Sequence, residues 1–89
     1  MHTIIYTKNA RKDLRSLESH VAKRILRKLN FYILQNDPLK CAKALKNHSL
    51  GHYRYRVGDY RVLFDISRDG TITILIILKI KHRKDIYLA

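Results

Sequence analysis

Residues Tyr53 to Asp65, YRYRVGDYRVLFD, leave this chain little choice of local structure. Gly58-Asp59 is a two-residue hairpin signal between two segments that alternate apolar and polar side chains. A two-residue loop pairs Val57 with Tyr60, Tyr55 with Val62 and Tyr53 with Phe64, making one apolar face. The same register sets Arg56 opposite Arg61, with Arg54 two residues further along. Like charges facing each other across a ladder cost about 0.2–1 kcal/mol. A fold gains nothing from that arrangement unless an anion sits between the guanidinium groups.

The flanking segments supply the rest of a core. Thr3 to Tyr6 is β-branched and aromatic, which predicts a short first strand. Thr7 is placed to cap a helix through about Leu17, with Ala10, Leu14 and Leu17 on one stripe. Ser19 is a second capping residue. From it to Gln35, Val21, Ala22, Ile25, Leu26, Leu29, Ile33 and Leu34 recur at helical spacing, while Lys23, Arg24, Arg27 and Lys28 face outward. Asn36-Asp37-Pro38 stops this helix. The two helices form a hairpin with one apolar side. Pro38 to Lys46 is expected to hold one or two helical turns with Cys41 and Leu45 inward, followed by a polar loop through Gly51. The remainder is a three-stranded antiparallel meander over about 52–57, 60–67 and 71–81.

Charge sets the expected form of the last turn. Ile72, Ile74, Ile76, Leu78 and Ile80 are taken as the core face of the final strand, and Tyr60, Val62, Phe64 and Ile66 as that of the strand before it. Both sets are even-numbered, so paired residues must sum to an even number. A two-residue Asp69-Gly70 turn gives an odd sum and drives Lys79 and Lys81 into the core. A three-residue Arg68-Asp69-Gly70 loop, with Gly70 left-handed in a G1 bulge, restores the match. The open face of the sheet then carries Arg54, Arg56, Arg61, Lys79, Lys81 and Arg83 around an apolar patch of Leu63, Leu75 and Ile77. Apolar area rimmed with charge marks a partner site.

Composition narrows the partner. The 89 residues are expected to form one domain, 1–89, and the 46% apolar content is too high for a disordered chain. Nineteen Lys and Arg against seven Asp and Glu give +12, spread over both halves. A field of that sign favours a polyanion, most often nucleic acid, or an acidic protein. Cys41 is the single cysteine, which fits a reducing compartment. MHTIIYTKNARKD turns polar too early for a signal peptide, and Ile72 to Leu78 is too short to span a bilayer. A cytoplasmic protein with no membrane partner is expected. His2, His20, His48, His52 and His82 are scattered, and His48-x₃-His52 has no companion set of carboxylates or thiolates in the sequence around it. No metal or other cofactor is expected. With three glycines, the chain has no phosphate-cradling loop.

Together with His82-Arg-Lys-Asp-Ile-Tyr87, the Tyr53–Arg61 hairpin and the order strand, helix hairpin, meander resemble the RelE-like toxins of type II toxin–antitoxin systems (RelE/ParE superfamily). The resemblance covers nearly the whole chain. It implies an α+β, RelE-like microbial RNase fold, with both helices packed on one face of the sheet. It also implies a metal-independent endoribonuclease that cuts messenger RNA in the ribosomal A site by 2′-hydroxyl attack, and an acidic, RelB-like antitoxin as partner. On this likeness Arg61 contacts the scissile phosphate, and Arg54 and Arg56 bind substrate backbone and support proton transfer. Lys79 adds to RNA binding, Lys81 and Arg83 belong to the final basic segment, and Tyr87 serves in proton transfer or base stacking. A tyrosine among cations is expected to ionise more readily. The antitoxin is expected to bury apolar side chains near Leu63, Leu75 and Ile77.

Three departures from the likeness matter. Arginines stand at 54 and 56 where some relatives have lysines, and arginine is a poor proton carrier. No Glu follows Glu18, so a carboxylate base is not expected, and the chain ends at Ala89 with no helix expected after Tyr87. His82 has core parity and reads as a structural histidine. Within the superfamily the alternative is a ParE-like inhibitor of DNA gyrase. From another class it is a non-catalytic RNA-binding module, although Tyr53 and Tyr55 point to the core and give that module no stacking platform.

Overall fold

The computed structural model describes residues 2–45 and 52–88, with side chains described through residue 85. The elements run β1 (His2–Tyr6), α1 (Lys8–Ser16), α2 (Ser19–Ile33), β2 (Lys43–Ala44), β3 (Tyr53–Val57), β4 (Tyr60–Asp69), β5 (Ile72–His82) and α3 (Arg83–Leu88). The fold is α+β. The sheet has five strands in the order β1-β5-β4-β3-β2, with β1 parallel to β5 and the other pairs antiparallel. The expected meander is its centre. Short strands at both edges enlarge it, and the polar loop expected through Gly51 lies outside the described residues.

The β3–β4 hairpin has the register its sequence dictates. Val57 faces Tyr60, Arg56 faces Arg61, Tyr55 faces Val62 and Tyr53 faces Phe64. Gly58 takes a φ of +59°, open to glycine at little cost. A Cβ there would also come within 2.9 Å of Nη2 of Arg24 on α2. On the covered side, four rings form a chain. Tyr55 stacks on Tyr32 at 4.2 Å and on Phe64 at 4.5 Å, and Phe64 stacks on Tyr53 at 5.7 Å. Tyr55 is fully buried, and its hydroxyl donates to the Pro38 carbonyl, so the phenol is not left unsatisfied. Burial pushes the Tyr55 phenol well above its ordinary value, and raises Tyr6 and Tyr32 in the same direction.

The second hairpin differs from expectation. β4 continues to Asp69, which faces Ile72, so the loop is the two-residue Gly70-Thr71 with Gly70 at φ +61°. Near this turn, paired residues sum to 141 (Phe64 with Ile77, Asp65 with Ile76). Beyond it they sum to 142 (Leu63 with Lys79, Val62 with Ile80, Arg61 with Lys81). The extra residue is Leu78, a β-bulge inside the strand. The parity shift therefore occurs mid-strand and not in the loop. Lys79 and Lys81 still lie on the open face, beside Leu63 and Arg61. Between turn and bulge, however, the core residues are Thr73, Leu75 and Ile77, all at most 3% exposed. Ile72, Ile74 and Ile76, expected inside, face the other way.

Thr7 holds the bulge in place. Its N–H donates to the Ile77 carbonyl at 3.1 Å and its hydroxyl to the same oxygen at 2.7 Å, while Oγ1 accepts from the N–H of Ala10 at 3.2 Å. One side chain thus ends β1, caps α1 and satisfies the distorted part of β5. Past the bulge, α1 covers the edge that β1 leaves open. Asp13 Oδ2 accepts from the N–H of Ile80 at 2.9 Å, and Oδ1 lies 3.3 Å from Lys81 Nζ. Two smaller expectations also fail. Cys41 is exposed, because the turn after Pro38 directs Leu39 and Ala42 to the core instead, and Leu34 is 81% exposed at the frayed end of α2.

Candidate nucleic-acid interface

Strand alternation sorts the open face into two halves. Near Gly58-Asp59, one row crosses three strands as Arg56, Arg61 and Lys81, and the next crosses four as Lys43, Arg54, Leu63 and Lys79. Six of these seven side chains are cationic. Near Gly70-Thr71 the same face carries Ile5, Ile72, Ile74 and Ile76 beside Asp65, Ser67 and Asp69. Ile5 is 48% and Ile72 36% exposed. The bulge at Leu78 is the boundary, since it turns the isoleucine-rich half of β5 and its lysine-bearing half to the same side.

The expected site residues divide accordingly. Arg54, Arg56, Arg61, Lys79 and Lys81 do come together on one face. Arg56 is exposed, and Arg54, Lys79 and Lys81 are half-buried. Arg61 is only 5% exposed; its Nη1 donates to the Gly58 and Tyr60 carbonyls, both at 3.0 Å. Its charge lies beneath the floor and its guanidinium clasps the hairpin turn. Lys81 carries the Asp13 ion pair. Arg83 does not continue the strand face. It opens α3, where its N–H donates to the Asp59 carbonyl at 2.7 Å and its Nε lies 3.7 Å from the Asp59 carboxylate. Tyr87 is in α3, and its side chain lies outside the described residues.

The expected apolar patch of Leu63, Leu75 and Ile77 is not a surface. All three are fully buried. Leu75 and Ile77 lie under the helices because the parity shift comes at Leu78, and Leu63 is enclosed on the opposite face among the cations. On the open face, the exposed apolar residues among those described are in the isoleucine group instead.

Three features escaped the sequence reading. Lys43 joins the cationic row through β2, a two-residue strand with no periodic signal. A cleft of about 510 Å³ behind the hairpin, lined by Arg24, Arg27, Lys28, Phe31 and Arg56, extends positive charge from α2 to the sheet edge. Lys28 Nζ stands 5.1 Å from the centre of the half-exposed Phe31 ring, within cation–π range. Finally, His52 Nδ1 is 2.6 Å from Asp65 Oδ1, which also accepts the His52 N–H at 2.8 Å. The hairpin register contained this pair, since 52 and 65 sum to the same number as 57 and 60. His48 lies outside the described residues. His82 is half-buried against Tyr60, and its Nδ1 accepts the Lys84 N–H, as a structural histidine does.

A hairpin tip with opposed arginines, flanked by a bulged strand that returns lysines to the same face, concentrates positive charge that can attract a polyanion. The model of the ParE toxin of type II toxin–antitoxin systems (parDE) matches residues 4–87. The chain belongs to this family, within the RelE/ParE superfamily. It is 34% identical to Toxin RelG of Mycobacterium tuberculosis over 86 residues, covering 97% of this chain and 95% of RelG. Toxin RelE3 of Methanocaldococcus jannaschii is also 34% identical, with 94% and 93% covered. Among solved structures, the toxin–antitoxin complex RelBE2 of M. tuberculosis holds a chain similar to this one at a TM-score of 0.70 and 31% identity, over 91% of this chain and 96% of that one. This RelE/ParE-family chain is accordingly a toxin of a type II toxin–antitoxin system.

Proposed function

We propose that the toxin is a metal-independent endoribonuclease that cuts messenger RNA in the ribosomal A site. The observation behind this reading is the pair of cationic rows on the open face, Arg56–Arg61–Lys81 and Lys43–Arg54–Lys79. Attack of a 2′-hydroxyl on the adjacent phosphate builds negative charge on the phosphoryl oxygens, and fixed cations stabilise that charge most where water is scarce. Arg54 and Arg56 are in position to hold the substrate backbone. Arg61, tied to the turn carbonyls, raises the potential from beneath, and Lys79 and Lys81 supply it from β5. Arg83 and Tyr87 belong to α3, and Tyr87 is assigned to proton transfer or base stacking. The activity belongs in the cytoplasm, with the ribosome.

The test is to incubate the toxin with programmed ribosomes and map the messenger ends. A-site cuts that disappear in Arg56→Ala and in Tyr87→Phe, both still folded, support the nuclease. The ParE name of the matched family favours one other reading, inhibition of DNA gyrase. Intact messenger alongside blocked supercoiling would establish that reading and overturn ours.

The proposed partner is an acidic, RelB-like antitoxin. A chain of charge +12 attracts such a protein over several ångströms, and the isoleucines and cations on one face suit a segment bearing both apolar and carboxylate side chains. Co-expression with an acidic neighbouring reading frame should relieve growth arrest. Persistent arrest would remove that candidate.

A further inference from the structure

Among the described residues, the arginines of the cationic floor are poor proton carriers. Arg54, Arg56 and Arg61 stay charged, and Lys81 is engaged by Asp13. His52 continues the side of β3 that carries Arg54 and Arg56, and its carbonyl accepts from Leu45 N–H at 2.8 Å, which fixes its backbone at the sheet edge. Asp65 offers only acceptors, so a 2.6 Å approach from Nδ1 places the ring proton on Nδ1. The free lone pair is then on Nε2. The His52 side chain is 76% exposed and Asp65 32%, so the imidazole reaches solvent while its carboxylate anchor is held. Among the described residues, the groups facing it are Asp65 on β4, Arg54 on β3 and Leu45 beside β2.

We infer that His52 is the general base of the cleavage reaction and that Asp65 is its positioning residue, an inference that rests on the nuclease reading. In this step Nε2 takes the proton of the 2′-hydroxyl as its oxygen bonds to phosphorus. The bond from phosphorus to the 5′-oxygen breaks, and that oxygen takes a proton from water. The proton on His52 then passes to the hydroxide left behind. The products are a 2′,3′-cyclic phosphate and a 5′-hydroxyl, with no net change in the protein. The pairing of an imidazole oriented by a carboxylate with a charge-stabilising floor is the division of labour that general-base catalysis needs.

Single-turnover cleavage on programmed ribosomes tests it, with ribosome binding and thermal unfolding measured on the same proteins. His52→Gln keeps a polar partner for Asp65, and His52→Ala opens a space for added imidazole. The expected result is a loss of about 100-fold or more in rate for both, with binding and unfolding unchanged, and recovery of His52→Ala by imidazole but not by a buffer of the same charge. Asp65→Asn should lower the rate about tenfold with the substrate requirement unaltered. If the wild type cuts and both His52 variants cut equally fast, the base assignment is wrong while the nuclease stands. The assignment also falls if the loss tracks weakened binding or resists imidazole. If the wild type leaves messenger intact, the nuclease reading itself fails.

Discussion

Arg61 has two duties that pull in one direction. Opposite Arg56 and beside Lys81 it raises the potential of the floor, and its Nη1 also ties the Gly58 and Tyr60 carbonyls at the β3–β4 turn. A guanidinium at 5% exposure is costly to bury, and its bonds to those carbonyls repay part of that cost. Arg61→Ala should therefore destabilise the fold by about 2 kcal/mol, since hydrogen bonds to a charged group are worth roughly 1.5–3 kcal/mol and the turn carbonyls lose their donor. Urea unfolding checks this. A variant as stable as the wild type would mean that the clasp contributes nothing. Arg56→Ala, at an exposed position, should leave the midpoint within about 0.5 kcal/mol of wild type.

At the scale of elements, the chain was legible wherever its pattern was one-sided. YRYRVGDYRVLFD has apolar residues on a single face, so the β3–β4 register followed residue by residue. The helices followed from Thr7 and the Ala10–Leu17 and Val21–Ile33 stripes. Residues 74–78 read Ile-Leu-Ile-Ile-Leu, apolar on both faces, and a pattern with no polar face cannot say where a parity shift falls. Parity put the adjustment in the Arg68-Asp69-Gly70 loop, whereas the even sum begins only past the shift between Phe64 and Leu63. Only the contacts of Thr7 and Asp13 with β5 place it at Leu78, and those partners are about seventy residues away in sequence. β2 escaped because two residues carry no period, and α3 because six residues after a strand give almost no helical signal. The bulge makes a sharp prediction about deletions. Removing Leu78 leaves Phe64 with Ile77 and Leu63 with Lys79 in an unbroken ladder, with every side chain on its present face. Removing Ile80 moves Lys81 to the core position opposite Val62. The Leu78 deletion should unfold cooperatively at a moderately lower temperature, and the Ile80 deletion should show no cooperative transition. Equal behaviour of the two would refute the bulge as the device that separates the faces.

At the scale of the whole molecule, charge and core respond to different variables. The net charge of +12 governs association, so complex formation with an acidic antitoxin should slow steeply as salt rises, while Ile5→Lys should speed dissociation by uncovering the apolar half of the face. Stopped-flow mixing separates the two effects, and an Ile5→Lys complex that dissociates no faster would place the apolar contact elsewhere. The core answers to pH through its tyrosines. Tyr55, stacked between Tyr32 and Phe64 and bonded to Pro38, ionises far less readily folded than unfolded, and Tyr6 and Tyr32 share that direction. A raised folded value means that the folded state holds its proton more tightly. The stabilisation is complete below the unfolded tyrosine value of about 10 and is lost as pH climbs past it. Above pH 10 the slope should approach about 1.4 kcal/mol per pH unit for each tyrosine still protonated in the fold. Melting temperatures taken from pH 8 to 11.5 should therefore be flat and then fall. Tyr55→Phe should start lower, because the Pro38 carbonyl loses its donor, yet fall less steeply, because one proton fewer is released on unfolding. A Tyr55→Phe curve parallel to that of the wild type would show that the alkaline transition belongs to other groups and that the ring stack does not hold its proton in the way its burial demands.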